Sequence, residues 1–173
     1  MAVTDAFRHE QRGVAIRMVA ALGITILVSA ICLHLGAAQT LPERLVAVAQ
    51  ADLFVLCWLA ATIGNVARLR FFSPDDIAGS GSANATAKVR HANAILQNTL
   101  EQVALAIPVH VALAMLVASS TALIVVLVTL FAIGRLLFCV GYASGAGARA
   151  FGFALTFYPS VAGLVIAASV ITF

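Results

Sequence analysis

The sequence predicts an all-α integral membrane protein that crosses the membrane with five helices. Hydrophobic residues make up 62% of the 173 residues and charged residues only 10%, with a mean hydropathy of +1.06, a composition unlike that of a domain with a wetted surface. Five apolar runs lie between charges or turn residues, and each has about the 20 residues that a spanning helix needs. None of these runs alternates polar and apolar residues as the strands of a membrane barrel do.

The first run, residues 14–37, follows a basic segment that contains Arg8, Arg12 and Arg17. A basic segment, an apolar run and the small residues at 36–38 together resemble a cleaved signal peptide. The apolar stretch 18–35 is longer than the roughly 7 to 15 residues of a signal-peptide core. A retained membrane helix is therefore favoured over a cleaved signal.

Four further runs follow, and their connections differ in kind. The segment 71–88 is rich in Gly, Ser, Ala and Asn, begins with a predicted turn at 73–76, and is expected to be a flexible cytoplasmic connector. The connection near 118–121 is short and predicts that the helices on either side are antiparallel neighbours. The four runs cover residues 45–67, 91–118, 121–143 and 150–172.

The basic residues predict the orientation of the chain. With the N-terminus in the cytoplasm, only Arg44 falls outside, and the other basic residues near run ends fall inside. We expect a multi-pass protein with a cytoplasmic N-terminus, located in a bacterial inner membrane and surrounded by membrane lipids. The net charge of +3 is spread over several loop ends and gives no sign of nucleic-acid binding. The residues on the predicted inner side are Arg8, Arg12, Arg17, Arg68, Arg70, Lys88, Arg90 and Arg149.

Two polar stripes at helical spacing mark the third and fourth runs. If the fourth helix stays regular through residue 149, the two stripes can face each other, so that its arginines meet Glu101 or a bound anion. On the third run the stripe consists of Arg90, Ala94, Asn98, Glu101, Leu105 and Pro108, and on the fourth of Arg135, Phe138, Tyr142, Gly145 and Arg149.

Two motifs within these stripes resemble those of a known family. The first is Asn-Thr-Leu-Glu-Gln at 98–102, and the second is Gly141 and Tyr142 followed by Arg149, with Ala67 and Arg68 at the end of the preceding helix. Because these motifs occur in the family's order on consecutive helices, the chain resembles the membrane-associated proteins in eicosanoid and glutathione metabolism, the MAPEG family. The resemblance covers about 45–173 and implies a four-helix membrane domain there, with 1–44 as a cytoplasmic tail and an extra helix.

The resemblance implies a homotrimer that uses glutathione as cosubstrate in sites between neighbouring subunits near the cytoplasmic face. Arg68, Asn98, Glu101 and Tyr142 match family positions that line the glutathione site, with Glu101 toward the ammonium group. Arg149 matches the family arginine thought to stabilise the thiolate, because a nearby cation favours the charged form of a thiol. Arg149 is therefore the predicted catalytic residue.

Two departures from the family pattern bear on this prediction. Leukotriene-forming members carry an arginine where Ala94 stands and a tyrosine where Phe138 stands. Either Arg90, one turn before Ala94, supplies the missing charge, or the site binds a different ligand. Arg135 is either a further ligand of the cosubstrate or one half of an interhelical ion pair with Glu101.

The leading functional prediction is a glutathione-dependent transferase or peroxidase that acts on hydrophobic electrophiles. The alternative is a non-catalytic protein that binds a lipid or a partner in the same groove. A transporter is a weaker third reading, since no inverted repeat is seen. The three cysteines lie in separate runs, so neither a metal site nor a redox pair is predicted. His110 is interpreted as a polar packing residue, and Asp52 as either a packing residue or a water-exposed one.

Overall fold

The computed structural model describes residues 2–79 and 85–172, and its regular structure is helical throughout these ranges. Five helices are long and apolar enough to cross a membrane, which confirms the predicted fold class and a multi-pass membrane protein. A short 3₁₀ turn, Tyr142–Ser144, separates the last two helices. The helices are α1 (Ala2–Leu35), α2 (Leu41–Phe71), α3 (Ala87–Leu116), α4 (Ser120–Gly141) and α5 (Ala146–Thr172).

The helices begin earlier than the apolar runs predict. The largest difference is at α1, which starts at Ala2 rather than at residue 14. Arg, Gln and Glu are good helix formers, so the helix continues through the polar flank. Its 34 residues span about 51 Å at 1.5 Å per residue, compared with a hydrocarbon core of about 30 Å. The part predicted to be a cytoplasmic tail is therefore helical.

Polar side chains fix the starts of α2 and α3. The Glu43 carboxylate accepts hydrogen bonds from the backbone N–H and the hydroxyl of Thr40, at 2.9 and 2.8 Å. The Thr86 hydroxyl accepts from the backbone N–H of Val89 at the start of α3. Both arrangements satisfy backbone or cap groups that a helix start leaves without an intrahelical partner.

The connector between α2 and α3 is tied together by Asp76. Its carboxylate accepts from the Ser73 hydroxyl at 2.6 Å and from the backbone N–H and hydroxyl of Thr86 at 2.9 and 2.7 Å. The Ser73 hydrogen bond, followed by those from Thr86, holds the pKa of Asp76 below its ordinary value. The predicted turn at 73–76 is confirmed, while residues 80–84 of the predicted flexible connector lie outside the described residues.

Glycines allow α4 and α5 to approach closely along one seam. A Cβ atom on Gly134 would lie 2.6 Å from Thr156 Oγ1 and 2.9 Å from the Gly152 carbonyl oxygen. A Cβ atom on Gly152 would in turn lie 2.7 Å from the Gly134 carbonyl oxygen. No side chain fits at either position, and the two helix backbones are in contact there.

The remaining packing places all five helices in one bundle. The α3–α4 connection, 117–119, is short and the two helices are antiparallel neighbours, as predicted. The link between α1 and α2 meets this turn, since the Gln39 N–H donates to the Ala118 carbonyl at 2.9 Å. We call this the α3–α4 end, and we call the other end, with the N-terminus, the connector and the α4–α5 turn, the basic end.

Candidate functional site

A cavity of about 350 Å³ opens between α1, α3, α4 and α5 near the basic end. We call it the basic-end cavity. Its wall is mostly apolar, with one amide, one phenol and one guanidinium group. The lining residues are Val14, Met18, Ala94, Asn98, Phe138, Tyr142, Ala146, Arg149, Ala150 and Phe153.

Arg135 lies fully buried behind this cavity. Its Nη1 donates to Asn98 Oδ1 at 2.9 Å and to Thr99 Oγ1 at 3.4 Å, and its Nε donates to Thr156 Oγ1 at 3.3 Å. The guanidinium carbon is 4.4 Å from the centre of the Phe138 ring. Its Nη2 is also buried and has no hydrogen-bond partner among the described residues. We call Arg135, Asn98, Thr99, Phe138 and Thr156 the Arg135 cluster. Its one charged group is the guanidinium, and the groups that accept hydrogen bonds from it are neutral.

Asn98 connects the Arg135 cluster to the cavity. Because its side-chain oxygen accepts from Arg135, its NH₂ group is the remaining polar group of a residue that lines the cavity. The amide thus offers a hydrogen-bond donor, and the buried guanidinium behind it adds positive charge. An anionic or carbonyl group in the cavity would find both favourable.

Arg149 lines the cavity, but it lies on a different helix from the one that the polar stripe of the fourth run predicted. That helix does not stay regular: α4 ends at Gly141, and Gly145, with φ +97°, turns the chain into α5. The left-handed conformation at Gly145 is one that residues with a Cβ atom rarely adopt. Arg149 therefore belongs to α5, and its guanidinium carbon lies 4.9 Å from the centre of the Tyr142 ring.

His91 is a site neighbour that sequence reasoning missed. Its ring packs edge-on against the Tyr142 ring, with centroids 4.6 Å apart, and it is half-buried rather than simply exposed. A signal was present, because His91, Ala94 and Asn98 are spaced by three and four residues and share one face of α3.

The other predicted site residues lie outside the basic-end cavity of this chain. Arg68 is exposed and donates to Asn65 Oδ1 at 3.0 Å, and Arg90 donates to the Ala85 carbonyl at 2.8 Å. Glu101 is exposed and accepts from the Gln97 amide at 3.0 Å. Of the two roles predicted for Arg135, the ion pair with Glu101 is wrong, because Glu101 lies on the outer side of α3 and Arg135 donates to Asn98 instead. The role as a ligand of the cosubstrate stays a prediction.

A second buried polar contact lies further along α3. His110 Nδ1 and Asp52 Oδ1 are 2.6 Å apart, and both residues are buried. Sequence reasoning placed His110 in the packing and left Asp52 either packed or exposed to water; the structure buries both. Their contact was missed because 58 residues separate them. Within the described ranges, His, Cys, Asp and Glu side chains form no group of three that could hold a metal ion.

Comparison with known proteins agrees with the motifs. The model of the MAPEG family matches residues 45–169, which covers α3, α4 and most of α2 and α5 and leaves out α1. No match to the chain was found among curated proteins or among solved structures.

Proposed function

The chain belongs to the MAPEG family, and from that premise we propose that it is a membrane transferase that joins glutathione to hydrophobic electrophiles at the basic-end cavity. The family assignment itself supports a membrane role in glutathione or eicosanoid metabolism. The observation that carries the finer proposal is the convergence of Asn98, Tyr142 and Arg149 on one cavity backed by the buried Arg135.

The side chains present suit glutathione. The tripeptide carries two carboxylates and several amides, so it needs cations and hydrogen-bond donors in a partly buried site. Arg149 and the Asn98 amide line the cavity, and the buried Arg135 adds positive charge behind Asn98, to which it donates a hydrogen bond. Ligand cavities are typically about 300 to 1,000 Å³, so the volume of about 350 Å³ holds a small ligand.

Arg149 is the proposed catalytic residue. Its guanidinium is half-buried beside the Tyr142 ring, which restricts its position and removes part of its water. A cation in such a place stabilises a thiolate more strongly than a fully hydrated cation does. Glutathione supplies the sulfur nucleophile, and the chain supplies the charge that keeps it ionised near neutral pH.

The reaction proposed for an α,β-unsaturated aldehyde balances without an added oxidant or reductant. The thiolate sulfur forms a bond to the β-carbon, and the electron pair of the carbon–carbon double bond moves toward the carbonyl oxygen. The α-carbon then takes a proton from water. With a hydroperoxide, the same sulfur would attack the outer oxygen and release an alcohol, and a second glutathione would then give the disulfide and water.

The exposed candidates support a homotrimer. Arg68, Arg90 and Glu101 lie outside the cavity of their own chain, on surfaces where a neighbouring subunit can reach them. In an assembly of the family type, these side chains would add charge to a site shared between subunits. In the proposed trimer, Arg68, Arg90 and Glu101 would therefore contribute to the glutathione site, although they lie outside the cavity of their own chain.

A non-catalytic lipid-binding function is the second candidate, and one observation favours it. Ala94 and Phe138, the two departures from the leukotriene-forming members, both line the basic-end cavity. They replace a charged and a hydroxyl group by apolar surface at the site itself. The same cavity would then suit a hydrocarbon chain without activating a thiol.

The test is ultraviolet difference absorbance of the purified protein on adding glutathione at neutral pH. We expect a thiolate band in the wild type, its loss in Arg149→Ala, and partial recovery in Arg149→Lys, because lysine keeps the charge. Arg44→Ala serves as a matched control, since its guanidinium hydrogen-bonds the Val117 carbonyl at the α3–α4 end, away from the cavity. Absence of the band from the wild type, with thermal stabilisation by lipid but not by glutathione, would support the second candidate.

A further inference from the structure

The first helix lies outside the stretch matched by the family, yet it forms part of the basic-end cavity. The family match begins at residue 45, whereas Val14 and Met18 of α1 line the same space as Asn98, Tyr142 and Arg149. One wall of the cavity is therefore formed by α1, which is not part of the four-helix unit matched by the family.

The packing of α1 positions this wall. Ala21 and Thr25 are fully buried and Ser29 is 5% exposed. With Val14 and Met18, they are spaced by four, three, four and four residues, so all five lie on one stripe of the helix. Met18 packs against the cluster of Ala21, Ala154 and Leu155. The stripe that seats α1 on α5 thus continues directly into the cavity wall.

The Arg17 side chain of α1 reaches the start of α5 beside the cavity. A Cβ atom on Gly147 would lie 2.6 Å from Arg17 Nη1, and Gly147 is two residues before Arg149. Because this contact is made by the end of a flexible side chain, the position of α1 is set by its buried stripe rather than by Arg17.

The chemistry of the wall is divided between the helices. The polar lining groups of Asn98, Tyr142 and Arg149 come from α3 and the α4–α5 region, whereas α1 contributes only the apolar Val14 and Met18. An apolar surface opposite a cationic one favours a ligand with a hydrocarbon part and a polar reacting end.

We propose that α1 forms the hydrophobic-substrate subsite, with Val14 and Met18 as specificity-determining residues that set the size of the apolar electrophile. This inference rests on the proposed function for its reaction. The electrophile is of the class of α,β-unsaturated aldehydes with an alkyl chain, whose β-carbon takes the sulfur by the addition described above. The α1 wall limits how much hydrocarbon fits beside glutathione.

The test compares Met18→Trp with Val19→Trp in the full chain. Val19 is the next residue and is 67% exposed, so the same enlargement there points away from the cavity. We measure conjugation of glutathione with a series of 2-alkenals from butenal to dodecenal. Met18→Trp should lower kcat/KM for the longest alkenals at least tenfold more than for butenal, whereas Val19→Trp should leave the whole series unchanged. Met18→Ala should raise the rate for the longest alkenals relative to butenal.

A second readout needs no reaction. Parinaric acid, a fluorescent fatty acid, is titrated into each variant in lipid nanodiscs together with the glutathione thiolate measurement. If the thiolate band is absent from the wild type but Met18→Trp abolishes parinaric acid binding, the α1 subsite stands and the enzyme proposal fails. If the band is present and Met18→Trp matches Val19→Trp in both readouts, α1 is a packing helix alone and the inference is overturned.

Discussion

Two groups of buried polar side chains contact α3, and they satisfy their hydrogen bonds in different ways. The Arg135 cluster places a guanidinium behind a cavity and gives it only neutral acceptors, leaving Nη2 without a partner in the described residues. The pair of Asp52 and His110 is a direct contact at 2.6 Å, away from that cavity. The two lie about 18 Å apart along α3, from Asn98 to His110, at 1.5 Å per residue.

The difference indicates what each grouping does. A buried polar group costs free energy unless its hydrogen bonds are met, and the Asp52–His110 contact meets that need within the protein. The Arg135 cluster meets it only in part, since Nη2 has no partner among the described residues, and its member Asn98 lines the basic-end cavity. We therefore expect the pair to matter mainly for folding and the cluster mainly for binding.

The largest effect on stability is expected when one member of the Asp52–His110 pair is removed. Asp52→Ala leaves a buried imidazole without its partner, which costs about 1 to 3 kcal/mol, and the cavity left by the carboxyl group adds to this loss. Trp58, the only tryptophan, packs against the core and reports unfolding by fluorescence during titration with sodium dodecyl sulfate.

The double variant Asp52→Leu with His110→Leu is the control for that loss. Two apolar side chains of suitable size need no partner, so the double variant should recover most of the stability. Glutathione binding should be unchanged in it, because the cavity lining is untouched. A double variant less stable than either single variant would contradict a mainly structural role.

A smaller effect is expected at the Arg135 cluster. Arg135→Lys keeps the charge, but an ammonium cannot reach Asn98, Thr99 and Thr156 from one planar group as a guanidinium does. The Asn98 amide then loses the guanidinium that orients it, and a hydrogen bond from this amide to an anionic ligand is worth about 1.5 to 3 kcal/mol, so glutathione should bind at least about tenfold more weakly. Equilibrium titration of the thiolate band measures this loss.

The same variant also tests the contrast with the buried pair. The free energy of unfolding of Arg135→Lys, measured by Trp58 fluorescence, should fall less than that of Asp52→Ala. Equal losses of stability in the two variants, with glutathione affinity preserved in Arg135→Lys, would make the cluster structural as well.

The smallest effect is expected in the connector, where Asp76 joins Ser73 to Thr86. These hydrogen bonds lower the pKa of Asp76 in the folded protein, so the carboxylate contributes stability above its unfolded pKa of about 3.9. That contribution is lost as pH falls through the lower folded value. Cleavage of the connector by pepsin should accelerate over this acidic range in the wild type and depend less on pH in Asp76→Asn. Asp75→Asn, at the exposed neighbouring residue, should behave like the wild type.

Much of the fold was predictable because a run of about 20 apolar residues in a membrane protein nearly always forms a spanning helix. The five helices and the short turn after Leu116 were predicted for that reason. The starts of the helices were not, since residues such as Arg8 and Glu10 continue a helix beyond the apolar run.

Residues of the candidate site were predictable where helical spacing or a local motif identified them. Asn98 was found from the spacing on α3, and Tyr142 from its motif, and both line the cavity. The pairing of Arg135 with Asn98 rather than Glu101 depends on the rotation of α3, which the spacing alone does not determine. The contribution of Met18 depends on where α1 packs, and no local pattern encodes that position.

The glycine seam between α4 and α5 also bears on how an apolar molecule enters from the bilayer. Opening that seam would separate backbones in contact at Gly134 and Gly152, whereas α1 rests on its neighbours through side chains. The lateral entrance is therefore expected beside α1, the helix whose tilt can adjust to the thickness of the membrane. Turnover of long alkenals should then vary with the acyl length of the host lipids, while glutathione affinity stays constant.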